Sequence, residues 1–114
     1  MGKLTPLRKQ DDFRAVFKRG KRFSSEHFTA YCKKNESPEL RLGISIAKRH
    51  LKQAVGRNRV RRMAKELIRT DLAPSLKAGY DIVLISRKIF SKPLNKKISN
   101  ELKFITKIIK EKSD

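Results

Sequence analysis

The sequence is short of acid, of cysteine and of long apolar runs, and each shortage excludes a class of protein. Only 11 Asp and Glu stand against 30 Lys and Arg in 114 residues, a formal charge of +19. The single cysteine, Cys32, excludes an intrachain disulfide and any cysteine-cluster metal site. It lies in an alternating strand pattern and reads as a buried structural thiol. No apolar run approaches the roughly 20 residues of a spanning helix, and no basic-then-apolar segment opens the sequence. A cytoplasmic protein without a membrane role is therefore expected. There is no glycine-rich phosphate loop, no metal-ligand cluster at motif spacing, no repeat and no linker. His27 and His50 lack an acidic partner at motif spacing, and Asp11 and Asp12 suit a helix start better than an acid–base pair. The protein itself is expected to carry no catalytic residue, no metal ligand and no cofactor.

What is abundant is positive charge, with a sequence pI near 10.7. That excess exceeds what solubility needs and points to nucleic acid. At 38% hydrophobic residues the chain is not expected to be disordered, and its length suits one domain over residues 1–114. The charge is concentrated in residues 56–69. On a helix of about 100° per residue, Val60, Met63, Ala64, Leu67 and Ile68 gather into one apolar arc. Asn58, Arg59, Arg61, Arg62, Lys65 and Arg69 cover most of the other side, with Glu66 the only acid. Such a helix can dock through one face and present guanidinium forks, which match phosphate oxygens, on the other. A solvated helix face normally mixes charge signs for i, i+4 pairing. This one hardly does, which favours contact with an RNA or DNA backbone.

The remaining pattern predicts an α+β domain in the order α-β-β-α-β-α, a central sheet with helices packed on it. Residues 10–20 predict a first helix: Asp11 or Asp12 as cap, Phe13, Val16 and Phe17 at i, i+3, i+4, and Gly20 as a left-handed stop. Residues 22–34 alternate, with Phe28, Ala30 and Cys32 one way and His27, Thr29, Tyr31 and Lys33 the other. After turn chemistry at 35–38, a second strand is expected over 40–47. Leu42, Ile44 and Ile46 face inward there, and Arg41, Gly43, Ser45 and Ala47 outward. The basic turn 48–52 leads into the arginine helix, which should fade near 70–74. Residues 82–85 are continuously apolar, as in a strand covered on both faces. Residues 91–93 precede a last helix whose stripe is Leu94, Ile98, Leu102, Ile105 and Ile109. Strand, arginine helix and strand form a β-α-β unit with parallel strands.

The aromatics admit two readings. Phe13 and Phe17 are most simply core anchors of the first helix. Tyr31 shares its strand face with Thr29 and Lys33, beside the small polar face of Ser45 and Ala47. That is either ordinary packing or a stacking surface for single-stranded nucleic acid.

The run Arg41-Leu42-Gly43-Ile44-Ser45-Ile46-Ala47-Lys48-Arg49, then Ala54-Val55-Gly56-Arg57-Asn58-Arg59-Val60-Arg61-Arg62, resembles the signature of the protein subunit of bacterial ribonuclease P. Asp12-Phe13-Arg14-Ala15-Val16-Phe17-Lys18-Arg19-Gly20 resembles that family's first helix, and the element order matches end to end. The resemblance implies a ribonucleoprotein endonuclease that removes the 5′ leader from precursor tRNA. It implies hydrolysis by the catalytic RNA subunit with Mg2+ bound mainly by that RNA, and no obligate protein partner. Arg57, Asn58, Arg59, Arg61, Arg62 and Lys65 would lie near the catalytic RNA and the cleavage site. Phe13, Phe17, Tyr31, Ser45, Ala47 and Lys48 would line a leader cleft between the first helix and the sheet. It also implies a left-handed crossover through the arginine helix, against the right-handed rule of about 98% of such units. Two positions depart from the family pattern: Lys52-Gln53, where members often carry Gly-Asn, and Glu26, where they often carry a base. Gln is the poorer helix cap. A structural RNA-binding protein, ribosomal or nucleoid-associated, fits the composition equally, but not the arginine signature.

Overall fold

The computed structural model describes residues 4–76, 79–90 and 96–112. Its elements are β1 (Leu4–Pro6), α1 (Gln10–Arg19), β2 (Lys21–Ser24), β3 (Phe28–Lys34), β4 (Leu40–Ser45), α2 (Ala54–Leu67), β5 (Tyr80–Ser86) and α3 (Lys96–Lys112). The five strands form one sheet in the order β1-β4-β5-β3-β2. β5 lies at its centre, parallel to β4 and antiparallel to β3. Its continuous apolar run follows from that place, since helices cover both of its faces.

One face of the sheet holds the larger core. Phe28, Ala30 and Cys32 from β3, Leu40 and Leu42 from β4, and Ile82 and Leu84 from β5 meet the buried stripes of α2 and α3. In α2 the stripe is Val60 and Ala64, continued by Ile68; in α3 it is Ile98, Leu102, Ile105 and Ile109. Full burial of one such aliphatic side chain is worth about 1.5–3 kcal/mol. On the opposite face Leu7, Val16 and Val83 form a smaller core, with Phe13, Tyr31 and Ile85 packed around it. The α+β layers therefore match expectation, with α1 alone on one face and α2 and α3 on the other.

Several boundaries differ. The strand expected over 22–34 is a hairpin: β2 and β3 pair antiparallel across residues 25–27, where the Ser25 N–H donates to the Phe28 carbonyl at 2.8 Å. β1, too short to show a period, pairs parallel with β4. β4 stops at Ser45 and not at 47, because the Ala47 N–H turns to the Ser86 hydroxyl at 2.9 Å. Gly20 is not left-handed; its φ of −78° is extended and the chain runs straight into β2. Glycine is required there by crowding, since a Cβ would stand 2.5 Å from the Val16 carbonyl oxygen. Lys9, and neither aspartate, takes the cap position of α1, leaving Asp11 and Asp12 in the first turn. Arg41 ties that turn to the sheet. Its Nε and Nη2 each donate to the Asp81 carboxylate at 2.7 Å, and its Nη1 donates to Asp12 at 3.2 Å. α2 passes into a π turn at Ile68–Leu72 and a 3-10 turn at Ala73–Ser75, close to the expected fade. Residues 91–93 and Leu94 lie outside the described residues.

Candidate nucleic-acid interface

α2 begins at Gln53 without a side-chain cap, as that weak capping residue predicts. Burial of Gly56, Val60 and Ala64 fixes its rotation and leaves Asn58, Arg59, Arg62 and Lys65 exposed. Arg59, Arg62 and Lys65 have no acidic partner among the described residues. The other two arginines are partly committed. The Arg57 guanidinium donates to the carbonyls of Leu51 and Lys52 at 2.9 and 2.7 Å, stapling the preceding turn in place of a side-chain cap. Arg61 is half-buried and donates to the Asn58 amide oxygen at 3.0 Å. Arg69 pairs with Glu66. The cationic face is thus narrower than the sequence period suggests, with Arg59, Arg62 and Lys65 at its centre.

The second candidate surface lies under α1, on the other side of the sheet. Strand register puts Tyr31, Val83 and Gly43 in one cross-strand row, and Thr29, Ile85 and Ser45 in the next. Phe13 closes over Gly43, whose missing side chain leaves room for the ring. Phe17, 44% exposed, meets Tyr31 edge-on, with ring centroids 5.0 Å apart and planes at 87°. Phe13, Phe17 and Tyr31 are therefore brought together under α1, and Ser45 follows one row beyond, exposed. Ala47 is held by its bond to Ser86, while Lys48 is exposed in the turn that follows. Arg22 escaped sequence reasoning. It pairs with Tyr31 across the hairpin and so presents a cation on the same face. Only recognition of the hairpin could have placed it there.

Behind this surface, the Ser86 hydroxyl accepts from Ala47 and lies 2.7 Å from His50 Nδ1. Burial, followed by the charge of Arg49, pushes the His50 pKa down. His27 finds an acidic partner that spacing could not reveal. Its Nδ1 lies 2.6 Å from Glu101 on α3, whose other oxygen accepts from the His27 N–H and the Ser25 hydroxyl, both at 2.7 Å. Glu26 completes a group whose ligand atoms lie within 4.8 Å of one another. Lys97 and Lys88 already neutralise Glu26, and both Glu101 oxygens are bonded, so the group works as a strut between hairpin and α3.

A basic helix face on one side and an aromatic, small-residue cleft on the other invite comparison with known proteins. The family model for Ribonuclease P matches residues 1–110. The chain belongs to the ribonuclease P protein family. It is 41% identical over 101 residues to the Ribonuclease P protein component of Clostridioides difficile (strain 630), covering 89% of this chain and 88% of that protein. Identity to the Ribonuclease P protein component of Bacillus cereus (strain B4264) is 39% over 89 residues, 77% of this chain and 76% of that one. Among solved structures, the Staphylococcus aureus RNase P protein superposes with a TM-score of 0.73 at 30% identity, over 93% of this chain and 95% of that one. The Thermotoga maritima RNase P protein gives 0.62 at 31% identity, over 94% and 89%. The fold and the family are those the signature implied, and the protein is a component of the ribonucleoprotein that processes tRNA. The ribosomal or nucleoid alternative is thereby displaced.

Proposed function

We propose that this protein serves ribonuclease P by binding and not by bond chemistry. Arg59, Arg62 and Lys65, with Asn58, Arg57 and Arg61 behind them, dock on the catalytic RNA near the cleavage site. The cleft of Phe13, Phe17, Tyr31, Ser45, Ala47 and Lys48 holds the single-stranded 5′ leader of precursor tRNA. The observation that carries this reading is the uncompensated cationic centre of α2, presented by a helix whose opposite face is fixed in the core. Each phosphate that such a face neutralises releases condensed counterions, a large favourable term at moderate salt.

In the cleft, Tyr31 and Phe17 offer ring faces and edges to leader bases, and Ser45 and Ala47 are small enough to admit sugar and backbone. Lys48 and Arg22 flank that path with charge. The hydrolysis belongs to the RNA subunit and its Mg2+. The protein's own residues do not suit that ion: the α2 face repels cations, and the carboxylates of Glu26 and Glu101 are engaged. The compartment is the cytoplasm, and among the described residues no helix is long and apolar enough to cross a membrane.

Rigorously RNA-free protein should leave precursor tRNA uncut in magnesium, and the same protein should stimulate its cognate RNA strongly at near-physiological salt. Cleavage by the protein alone would overturn the proposal.

A further inference from the structure

β4 ends at Ser45, which pairs with Ile85, and the next residue of β5 takes over where the strand pairing stops. That residue is Ser86. Alternation along β5 turns it to the side of Ile82 and Leu84, the larger core, and away from the cleft under α1. Its hydroxyl accepts from the Ala47 N–H at 2.9 Å and lies 2.7 Å from His50 Nδ1. Ser86 and His50 are each 8% exposed, so neither can touch a ligand in that cleft. The turn between them closes on itself, since the Ala47 carbonyl accepts from the His50 and Leu51 N–H groups at 3.0 and 3.1 Å. Those bonds give the turn its shape and not its place on the sheet. Ile46 and Leu51 bury its two ends in the core. Between them it is held by Ser86 and by Phe90, whose N–H donates to the His50 carbonyl at 3.0 Å. Phe90 is in turn seated edge-on against His27 and Phe28, at centroid distances of 5.7 and 5.6 Å.

This turn joins the two surfaces proposed to meet RNA, and its two sides are held differently. The side leading into α2 is fixed without Ser86: Leu51 lies in the core, and the Arg57 guanidinium donates to the Leu51 and Lys52 carbonyls at 2.9 and 2.7 Å. The side facing the cleft carries Ser45, Lys48 and Arg49, all exposed, and is tied to β5 by the Ser86 hydroxyl through Ala47. Without that hydroxyl the Ala47 N–H would turn to water, and Lys48 would sample more than one place. A ligand that binds only one of those places is weakened by the fraction of time it is vacant. The loss is bounded by the worth of one neutral hydrogen bond, roughly two- to tenfold in affinity.

We propose, on the reading that the cleft under α1 holds the leader, that Ser86 and His50 are positioning residues of that cleft, acting through Ala47 to hold Lys48 beside Ser45. The test uses the holoenzyme with its catalytic RNA and reads the ratio of affinities for precursor and mature tRNA at fixed salt. Ser86→Ala should lower that ratio roughly two- to tenfold, while affinity for the catalytic RNA stays within about twofold. Ser86→Thr keeps the hydroxyl and should restore the ratio. His50→Asn keeps a hydrogen-bonding atom near the place of Nδ1 and should preserve it, whereas His50→Leu should not. This second pair decides if Ser86→Ala misfolds. Amide exchange in the free protein adds a reading of place: Ala47 should exchange faster in Ser86→Ala, and Val83 in the centre of β5 at the wild-type rate. Tyr31→Ala, measured alongside, separates two failures. A ratio lowered by Tyr31→Ala but by neither Ser86→Ala nor His50→Leu would overturn the positioning role and leave the cleft standing; a ratio lowered by none of them would overturn both. Equal losses on precursor and mature tRNA, Val83 exchange accelerated as much as Ala47, or failure of both Ser86→Thr and His50→Asn to keep the ratio would make the pair a general stabiliser and overturn the proposal.

Discussion

The Phe13 ring fills the space that a side chain at Gly43 would occupy: a Cβ there would stand 2.6 Å from ring Cε1 and 2.7 Å from Cζ. α1 thus rests on β4 through an aromatic ring set against bare backbone, beside the anchor that Arg41 makes to Asp12. Gly43→Ala should push the ring out and lift α1 from the sheet. Overpacking of this kind costs about 1–3 kcal/mol. Chemical denaturation measures the loss, and leader binding should weaken with it. An unchanged midpoint would mean that α1 has room to adjust.

The rotation of α2 is tested by two substitutions on opposite faces. Arg62→Ala removes an exposed side chain and should leave the thermal midpoint unchanged, while the log–log salt slope of RNA binding becomes shallower by about one unit. Val60→Asp puts an unpaired charge where side-chain exposure is 0% and should unfold the domain. Calorimetry with the salt titration checks both; a tolerated Val60→Asp would mean that the helix faces the core another way.

Two buried groups make stability depend on acid in separate ranges. The folded His50 resists protonation while the unfolded chain accepts a proton near 6.5, so stability is complete above that pH and falls as pH drops through it. For Glu101, burial raises the pKa, but the bonds from Ser25, the His27 N–H and the His27 ring outweigh it and hold the carboxyl below its ordinary 4.5. Its contribution is present above that value and is lost at lower pH. The thermal midpoint should therefore fall in two stages on acidification. His50→Gln should abolish the first and Glu101→Gln the second; a midpoint that rises between pH 6.5 and 5 would contradict the assignment of His50.

The pattern of burial was legible where one face of an element repeats locally. Val60, Ala64 and Ile68 lie four residues apart, and Ile98, Leu102, Ile105 and Ile109 do the same work in α3. The β2–β3 hairpin was masked because residues 25–27 lack glycine, proline or asparagine, yet a parity signal was present. Phe23 and Phe28 pack into the same core from odd and even positions, which a single uninterrupted strand does not permit. The His27–Glu101 strut spans 74 residues and leaves no local trace. Arg57 shows a different limit: composition counts its charge, but only the fold reveals that its donors are turned back to the chain.

Tyr31 decides whether the cleft under α1 holds the leader. Tyr31→Ala should weaken binding of precursor tRNA carrying a leader of several nucleotides by about 1–3 kcal/mol, the usual scale for a stacking aromatic. Mature tRNA, which lacks the leader, should bind as before. The decisive measurement is the ratio of the two affinities at fixed salt and saturating protein, for the wild type and for Tyr31→Ala with the catalytic RNA present. A ratio reduced toward unity, through loss on precursor tRNA alone, is the predicted result. Equal losses on both ligands, with a lowered thermal midpoint, would return Tyr31 to simple packing against Phe17 and contradict the leader cleft.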